Sequence, residues 1–335
     1  MINTVQGPVP IDSLGVTSPH EHIFIDMRGC VDITGKEPES FYREFSAENR
    51  VDVWQDPYAI LDNALQSEVA DGISEIEYFK EWGGRTVIDC TLDEIGRDPL
   101  KLKEVSDATG VNIILGCGHY YDKAHFPYLK DATVETLAEE MYKDLTVGIK
   151  GTDIKAGIIG EIGTSAVVTE NEKKVLKAAG VVGSQTGHAI HIHTDLYTEN
   201  GYEIVKILIA EGVKPEKICI DHVDVWLRPH YIKGLLKLGV FVEFDNFGKE
   251  FYVSQKRRFA YDLERIEVLK NLIDEGFGDR VLISNDICLK SMWKKYGGLG
   301  YAHILRGVKD MALQNGIEEN AYNNLLTKNV KNFLR

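Results

Sequence analysis

HAIHIHTDLYTENGYEIVKILIAEGVKPEKICIDHV, residues 188–223, is the stretch on which the fold turns. Two short isoleucine-rich runs, HAIHIHT and KICIDHV, bracket NGYEIVKILIAEG, where apolar residues recur at helical spacing. Strand, helix and strand over this length form a crossover unit, in which two parallel strands are joined by a helix. Each strand ends in a histidine, His193 and His222.

The same alternation continues in both directions. Upstream strands are GVTSPHEH (15–22), RTVIDCT (85–91), VNIILGCG (111–118) and KAGIIGEI (155–162). Downstream ones are VFVEFD (240–245) and RVLISND (280–286). Helical patterns occupy 57–82, 131–149, 171–185, 228–239, 259–276 and 328–335. Runs that are mostly continuously apolar read as strands buried on both faces, hence a parallel sheet wrapped by helices. Eight of them in unbroken alternation predict an α/β protein of the (β/α)8 TIM-barrel type, with one domain spanning residues 1–335.

Composition agrees with that size of core. Hydrophobic residues make up 44% of the 335, which excludes a disordered chain. No apolar stretch approaches the roughly 20 residues of a bilayer span, and MINTVQGPVPIDSLG lacks the basic start and apolar core of a signal peptide. Five scattered cysteines without a CxxC pair suggest reduced thiols and a cytoplasmic location. A net charge of −14 argues against nucleic acid or an anionic membrane as partner and leaves a small molecule.

Six side chains stand at strand ends: His20, His22, Glu161, His193, His222 and Asp286. In a (β/α)8 barrel that is the active-site face. His20 and His22 are two apart, so both point to one side of an extended strand, with Glu21 pointing away. They form a clip for one divalent ion, and Asp286 closes the barrel beside them. His193 and His222 form a second clip. Two ions so held need a bridging anion, which Glu161, between Gly160 and Gly163, is placed to provide. The expected cofactors are two divalent ions, zinc first and manganese, cobalt or iron(II) as alternatives, bridged by Glu161 and a hydroxide.

This pattern resembles the phosphotriesterase family of the amidohydrolase superfamily, from SPHEHIFID through DCTLDEIGRD, AGIIGEIGTS, HIHTD and CIDHVD to LISNDI. The resemblance implies that His20, His22, His193, His222 and Asp286 bind two metal ions. It also implies that Asp286, the catalytic residue, moves the proton of the attacking water. Many members bridge the metals with a carboxylated lysine on strand four. Here the strand's only lysine, Lys155, lies about 20 Å from Glu161 along an extended chain. Glu161 thus resembles the glutamate of the phosphotriesterase homology proteins. His222 serves as ligand alone or also as orienting group. Asp89, Arg97 and Asp98 read as structural, with support of the ligands as the lesser reading. Family members often pair as homodimers.

The substrate reading rests on the loops after strands seven and eight, which carry Lys249, Lys256, Arg257, Arg258, Lys290, Lys294 and Lys295 in an acidic protein. These loops are the usual phosphate-binding quarter of the barrel. Lys249, Arg257, Arg258 and Lys290 are the candidate phosphate contacts, against the plainer reading of a solvated face. Tyr120 and Tyr121 would wall the pocket, as would Trp293, or they are loop-packing aromatics. Acyl homoserine lactones are disfavoured because Asn246 stands where that branch usually has arginine.

The expectation is therefore a lactonase that opens a small, phosphorylated sugar lactone. Alternatives are an amide or ester (N-acyl) hydrolase on the same metals and an organophosphate triesterase, the latter as a side activity. A mononuclear barrel deaminase and a catalytically silent binding protein complete the set.

Overall fold

A computed structural model of the chain describes residues 1–54, 56–251 and 258–335. Eight parallel strands form the centre: β1 (Thr17–Glu21), β2 (Thr86–Asp89), β3 (Asn112–Leu115), β4 (Ile159–Gly163), β5 (Ile190–His193), β6 (Ile218–Ile220), β7 (Phe241–Phe244) and β8 (Val281–Ile283). Strands β1–β2–β3 pair in one run and β4 to β8 in another, with registers such as Val87↔Ile113, Ile192↔Ile220 and Phe244↔Ile283. Two seams close the barrel. Gly157 donates to the Leu115 carbonyl at 2.9 Å and Gly163 to that of His119 at 3.1 Å, while Asp286 donates to His20 at 3.3 Å.

The strands read as continuously apolar because both of their faces are covered. Val87, Ile113, Ile190, Ile218, Val242 and Ile283 face the helical layer, and Ile88, Ile114, Ala189, Cys219, Phe241 and Leu282 fill the interior. Among the described residues, seven helices of at least 9 residues follow the strands: α1 (Val69–Glu81), α2 (Pro99–Thr109), α3 (Val134–Thr146), α4 (Glu170–Thr186), α5 (Gly201–Ala210), α6 (Pro229–Lys237) and α7 (Asp262–Asp274). Three more, α8 (Gly307–Gln314), α9 (Glu319–Leu325) and α10 (Lys328–Leu334), end the chain. Val330, Phe333 and Leu334 of α10 join Ile2 and Leu14 in plugging the barrel floor, which leaves the opposite mouth for chemistry.

The helix expected over 57–82 is shorter, because only Val69–Glu81 is α-helical and Leu61–Ala64 forms a single 3-10 turn. Residues ahead of it turn instead, since Asn63 donates to the Pro57 carbonyl and accepts from the Ser291 amide, both at 2.8 Å. These bonds, one local and one reaching across 228 positions, outweigh local helical preference. Helices α2, α8 and α9 extend the expected set. In α2, Asp98 caps the first turn by accepting from Lys101 N at 3.1 Å, which is its structural role. Arg97 ties its own connection to the segment after β3 and to the helix Val134–Thr146 by donating to Asp93, the Gly116 carbonyl and Asp144. All five cysteines are free thiols. Among the described residues no helix is long and apolar enough to cross a membrane.

Candidate metal centre

Strand β4 bends where Gly160 adopts φ 106°. A Cβ there would collide with the carbonyl of His191, so only glycine permits this approach. Pairing shifts between Ile159 and Ile162, and Glu161 turns into the barrel mouth. There its carboxylate meets all four histidines. Oε1 lies 3.2 Å from His22 Nε2, and Oε2 lies 3.5 Å from His20 Nε2, 3.1 Å from His193 Nδ1 and 3.6 Å from His222 Nε2. Asp286 Oδ1 is 3.2 Å from His22 Nε2 and 3.9 Å from His20 Nε2. The six residues expected from the sequence are thus brought together, all but His193 buried.

The backbone is shaped to present them. His222 and Asp286 hold left-handed conformations, φ 61° and 47°, which non-glycine residues keep only where their surroundings fix them. Asp245 does this for His222, accepting its backbone N–H at 2.9 Å and lying 3.0 Å from Nδ1. With its proton on Nδ1, the ring turns an Nε2 lone pair toward the centre. Thr91 Oγ1 stands 2.9 Å from His22 Nδ1, and Asp89 accepts the Ile23 and Thr91 amides. Asp89 therefore supports a candidate ligand through its neighbours.

The donor chemistry fits cations. His222 Nε2 and His193 Nδ1 lie 2.8 Å apart, so a proton or a cation must separate their lone pairs. His20 is buried with neither ring nitrogen hydrogen-bonded. His20, Glu161 and His222 offer ligand atoms within 4.8 Å of one another, as do His20, His22 and Asp286. Imidazole and carboxylate at this spacing are what zinc and similar ions take. Electrostatics agree. Burial opposes charge on His22, yet bonds to Asp286 and Glu161 push its pKa up to about 9. Burial likewise disfavours the Glu161 carboxylate, but the imidazoles, led by His20, hold it well below its usual range. The cluster demands positive charge.

One layer deeper, residues that the sequence reading did not single out form a second buried group. His191 Nδ1 lies 3.1 Å from Asp221 and 3.3 Å from Glu243, both fully buried. Burial opposes protonation of His191, but these carboxylates raise its pKa to about 9, so the layer carries its own counter-charge. The sequence signal was present: acids two residues apart on VFVEFD, and Asp221 directly before a strand-end histidine.

Above the cluster sits a cavity of about 110 Å³. His22, Glu161, His193, His222 and Asp286 line its metal side, and Ile25, Met27, Leu196, Phe259 and Leu289 contribute apolar walls. Tyr120 lines it too, its hydroxyl 3.1 Å from His193 Nδ1. Tyr121 stacks 6.2 Å from the His193 ring but faces a neighbouring recess beside Cys30. Among the expected cations, Lys249 lines the cavity, buried and bonded to Asp286 Oδ2. The rest disperse. Lys290 pairs with Asp62 at 2.7 Å, Lys295 with Asp71 at 2.6 Å and Arg258 with Glu264 at 2.7 Å, while Lys294 sits over the Tyr78 ring. Lys256 and Arg257 lie outside the described residues. Trp293 is buried, and its indole donates to Tyr301 OH at 3.1 Å, which makes it a packing residue.

Comparison with known proteins finds relatives over nearly the whole chain. The "N-acetyltaurine hydrolase" of Xenopus tropicalis is 36% identical over 99% of this chain and 97% of its own length. A resiniferatoxin-binding protein from Rhodobacter sphaeroides superposes with a TM-score of 0.96 at 30% identity, covering 99% of this chain and 94% of that one. The Escherichia coli phosphotriesterase homology protein, solved with phosphate in its active site, gives 0.82 at 31% identity over 97% and 100%. The description of the phosphotriesterase family matches residues 1–334, and the chain belongs to that family of metal-dependent hydrolases.

Proposed function

We propose that this protein hydrolyses the amide bond of small N-acyl compounds that carry one anionic group, such as N-acylated amino sulfonates or amino acids. The observation that carries the proposal is Lys249, the one ammonium among the described residues of a small cavity whose other lining is the ligand cluster, apolar side chains and the uncharged polar Tyr58, Tyr120 and Asn246. A dianionic phosphate is usually met by several cations or a fork of donors, and the other described cations of these loops are paired elsewhere. A sulfonate or carboxylate needs one. The N-acetyltaurine hydrolase relative points the same way.

His20, His22, Glu161, His193, His222 and Asp286 would hold two divalent ions, with Glu161 between them. When bound, such ions lower the pKa of water and polarise the oxygen of the scissile carbonyl. Lys249 has three N–H donors, of which Asp286 occupies one and Cys288 stands close to another, leaving a donor for the substrate's anionic end. Tyr120 OH, at the cavity wall, is in place to donate to the acyl oxygen. Asp286 takes a proton from the attacking water at a carboxylate oxygen and returns it to the leaving nitrogen, giving a carboxylic acid and a free amine. The apolar walls exclude competing water.

Turnover of N-acetyltaurine, N-acetylglycine and neutral N-acetylethylamine by zinc- or manganese-loaded protein tests the reading. Higher kcat/KM for the two anionic amides, by at least tenfold, is expected, since a charge-assisted hydrogen bond contributes about 1.5–3 kcal/mol. Equal rates on all three sink it. The second reading, opening of a phosphorylated lactone, keeps support from the phosphate held by the Escherichia coli relative. Lactone turnover without amide turnover would establish it instead.

A further inference from the structure

A larger cavity, about 500 Å³, lies behind the segment that carries Asp286. Asp286 faces the ligand cluster, while its neighbours Asn285 and Ile287 line this second space. Among the described residues the two cavities share only Phe251. Phe247, Ile287 and Met292 give the second one a buried apolar wall. Trp54, Leu263 and Leu299 also line it, yet remain 53%, 47% and 50% exposed. Clustered exposed apolar groups mark a place where something binds, and the volume falls within the roughly 300–1,000 Å³ of small-molecule sites.

The charges of this cavity are unequal in their partners. Asp262 is met by Arg265 at 2.9 Å and His303 at 2.7 Å, and Glu250 accepts the Asp262 amide at 3.4 Å. Arg50 differs. Its guanidinium lies 4.8 Å over the Trp54 ring, and its Nε is buried without a hydrogen-bond partner. Burial alone acts on its proton affinity, with no carboxylate offsetting it. A guanidinium with donors left over, set among apolar walls, suits an anion attached to an apolar body.

We infer that this cavity is a second ligand site, separate from the metal cluster, for a small amphipathic anion whose apolar body packs on Phe247, Ile287 and Met292 and whose head pairs with Arg50. Calorimetric titration of the metal-loaded protein with octanoate, octylamine and octanol, followed in parallel by Trp54 fluorescence, tests this. Octanoate is expected to bind at one equivalent and octylamine not to bind, with affinity unchanged by saturating N-acetyltaurine or by Glu161→Gln. Arg50→Ala should weaken octanoate by roughly tenfold or more and leave octanol unaffected. Arg50→Glu should reverse the preference toward octylamine, a gain that misfolding cannot produce. Absence of octanoate binding, equal binding of octylamine, indifference to both Arg50 variants, or competition with N-acetyltaurine would each overturn the inference.

Discussion

Replacing Glu21 by glutamine probes how Asp286 is held. Glu21 is fully buried between β1 and the segment after β8. Its Oε1 accepts from Ser18 Oγ at 2.7 Å, Asn285 Nδ2 at 2.8 Å and Asn285 N at 3.0 Å, and Oε2 accepts from Ile287 N at 2.9 Å. Asn285 and Ile287 flank Asp286, so this one carboxylate pins both sides of a left-handed residue. In Glu21→Gln the amide oxygen can keep three bonds, but its NH2 group then faces the Ile287 N–H, donor against donor. An orphaned buried N–H costs about 1–3 kcal/mol, and each bond reduced from charged to neutral loses about 1 kcal/mol. Burial pushes the Glu21 carboxyl up, and removing the charge returns part of that penalty. The net loss is about 3 kcal/mol. At about 2.1 cal/mol/K of unfolding entropy per residue, 335 residues convert this into a Tm lower by about 4 °C. Loosening Asp286 should also weaken metal uptake by about 10–100-fold, as loss of supporting partners does at metal sites. Thermal melts, metal content after dialysis against a graded chelator and kcat are the measurements. A melt within 1 °C of the parent together with unchanged kcat would refute the clamp.

Glu161→Gln should reduce tightly held metal from two equivalents to one or fewer, read by elemental analysis of dialysed protein, with turnover falling at least a hundredfold; two retained equivalents contradict the bridge. Lys249→Met should raise KM for anionic amides by roughly tenfold or more while sparing a neutral amide, measured by initial rates; a uniform loss on both would make Lys249 a support for Asp286 alone. His119 gives a pH signature away from the centre. Burial opposes its charge, but bonds to Glu140 at 3.3 Å and Glu94 at 2.6 Å win and lift its pKa to about 9. A folded pKa above the unfolded 6.5 contributes stability that is complete below pH 6.5 and lost as pH rises through 9. Urea midpoints of the parent should fall across that window relative to those of His119→Gln; parallel curves would refute the assignment.

The barrel was legible because its strands are short, apolar and set apart by helical periodicity. The connections were less so. Helix α2 has a capping aspartate, a proline at its first position and Gly110 at its end, all visible in DPLKLKEVSDATG, yet its weak amphipathicity hid it among loop residues. Residues 57–68 show the opposite error. Their apolar spacing imitates a helix, and one of the two bonds that hold Asn63 comes from Ser291, 228 positions away. Distance in sequence also hid the fate of the loop cations, for Lys290 and Lys295 find Asp62 and Asp71 across 228 and 224 positions. A count of basic residues could not separate those from Lys249, which alone among the described ones lines the cavity.

His20 and His22 could be assigned to one face from the sequence because parity along a strand is a local property. Residues two apart share a face whatever the rest of the chain does. Parity, however, says only which face, not what lies there. Glu21, between His20 and His22, points away from the centre as expected, and in an open sheet such a glutamate would meet solvent or a helix. In a closed barrel β1 has a neighbour on each side, and the one that carries Asp286 comes from the far end of the sequence. Outward therefore means toward Asn285 and Ile287. The residue that the pattern sets aside becomes the tie between the strand that carries His20 and His22 and the segment that carries Asp286, so the same bonds that close the barrel also hold the candidate site.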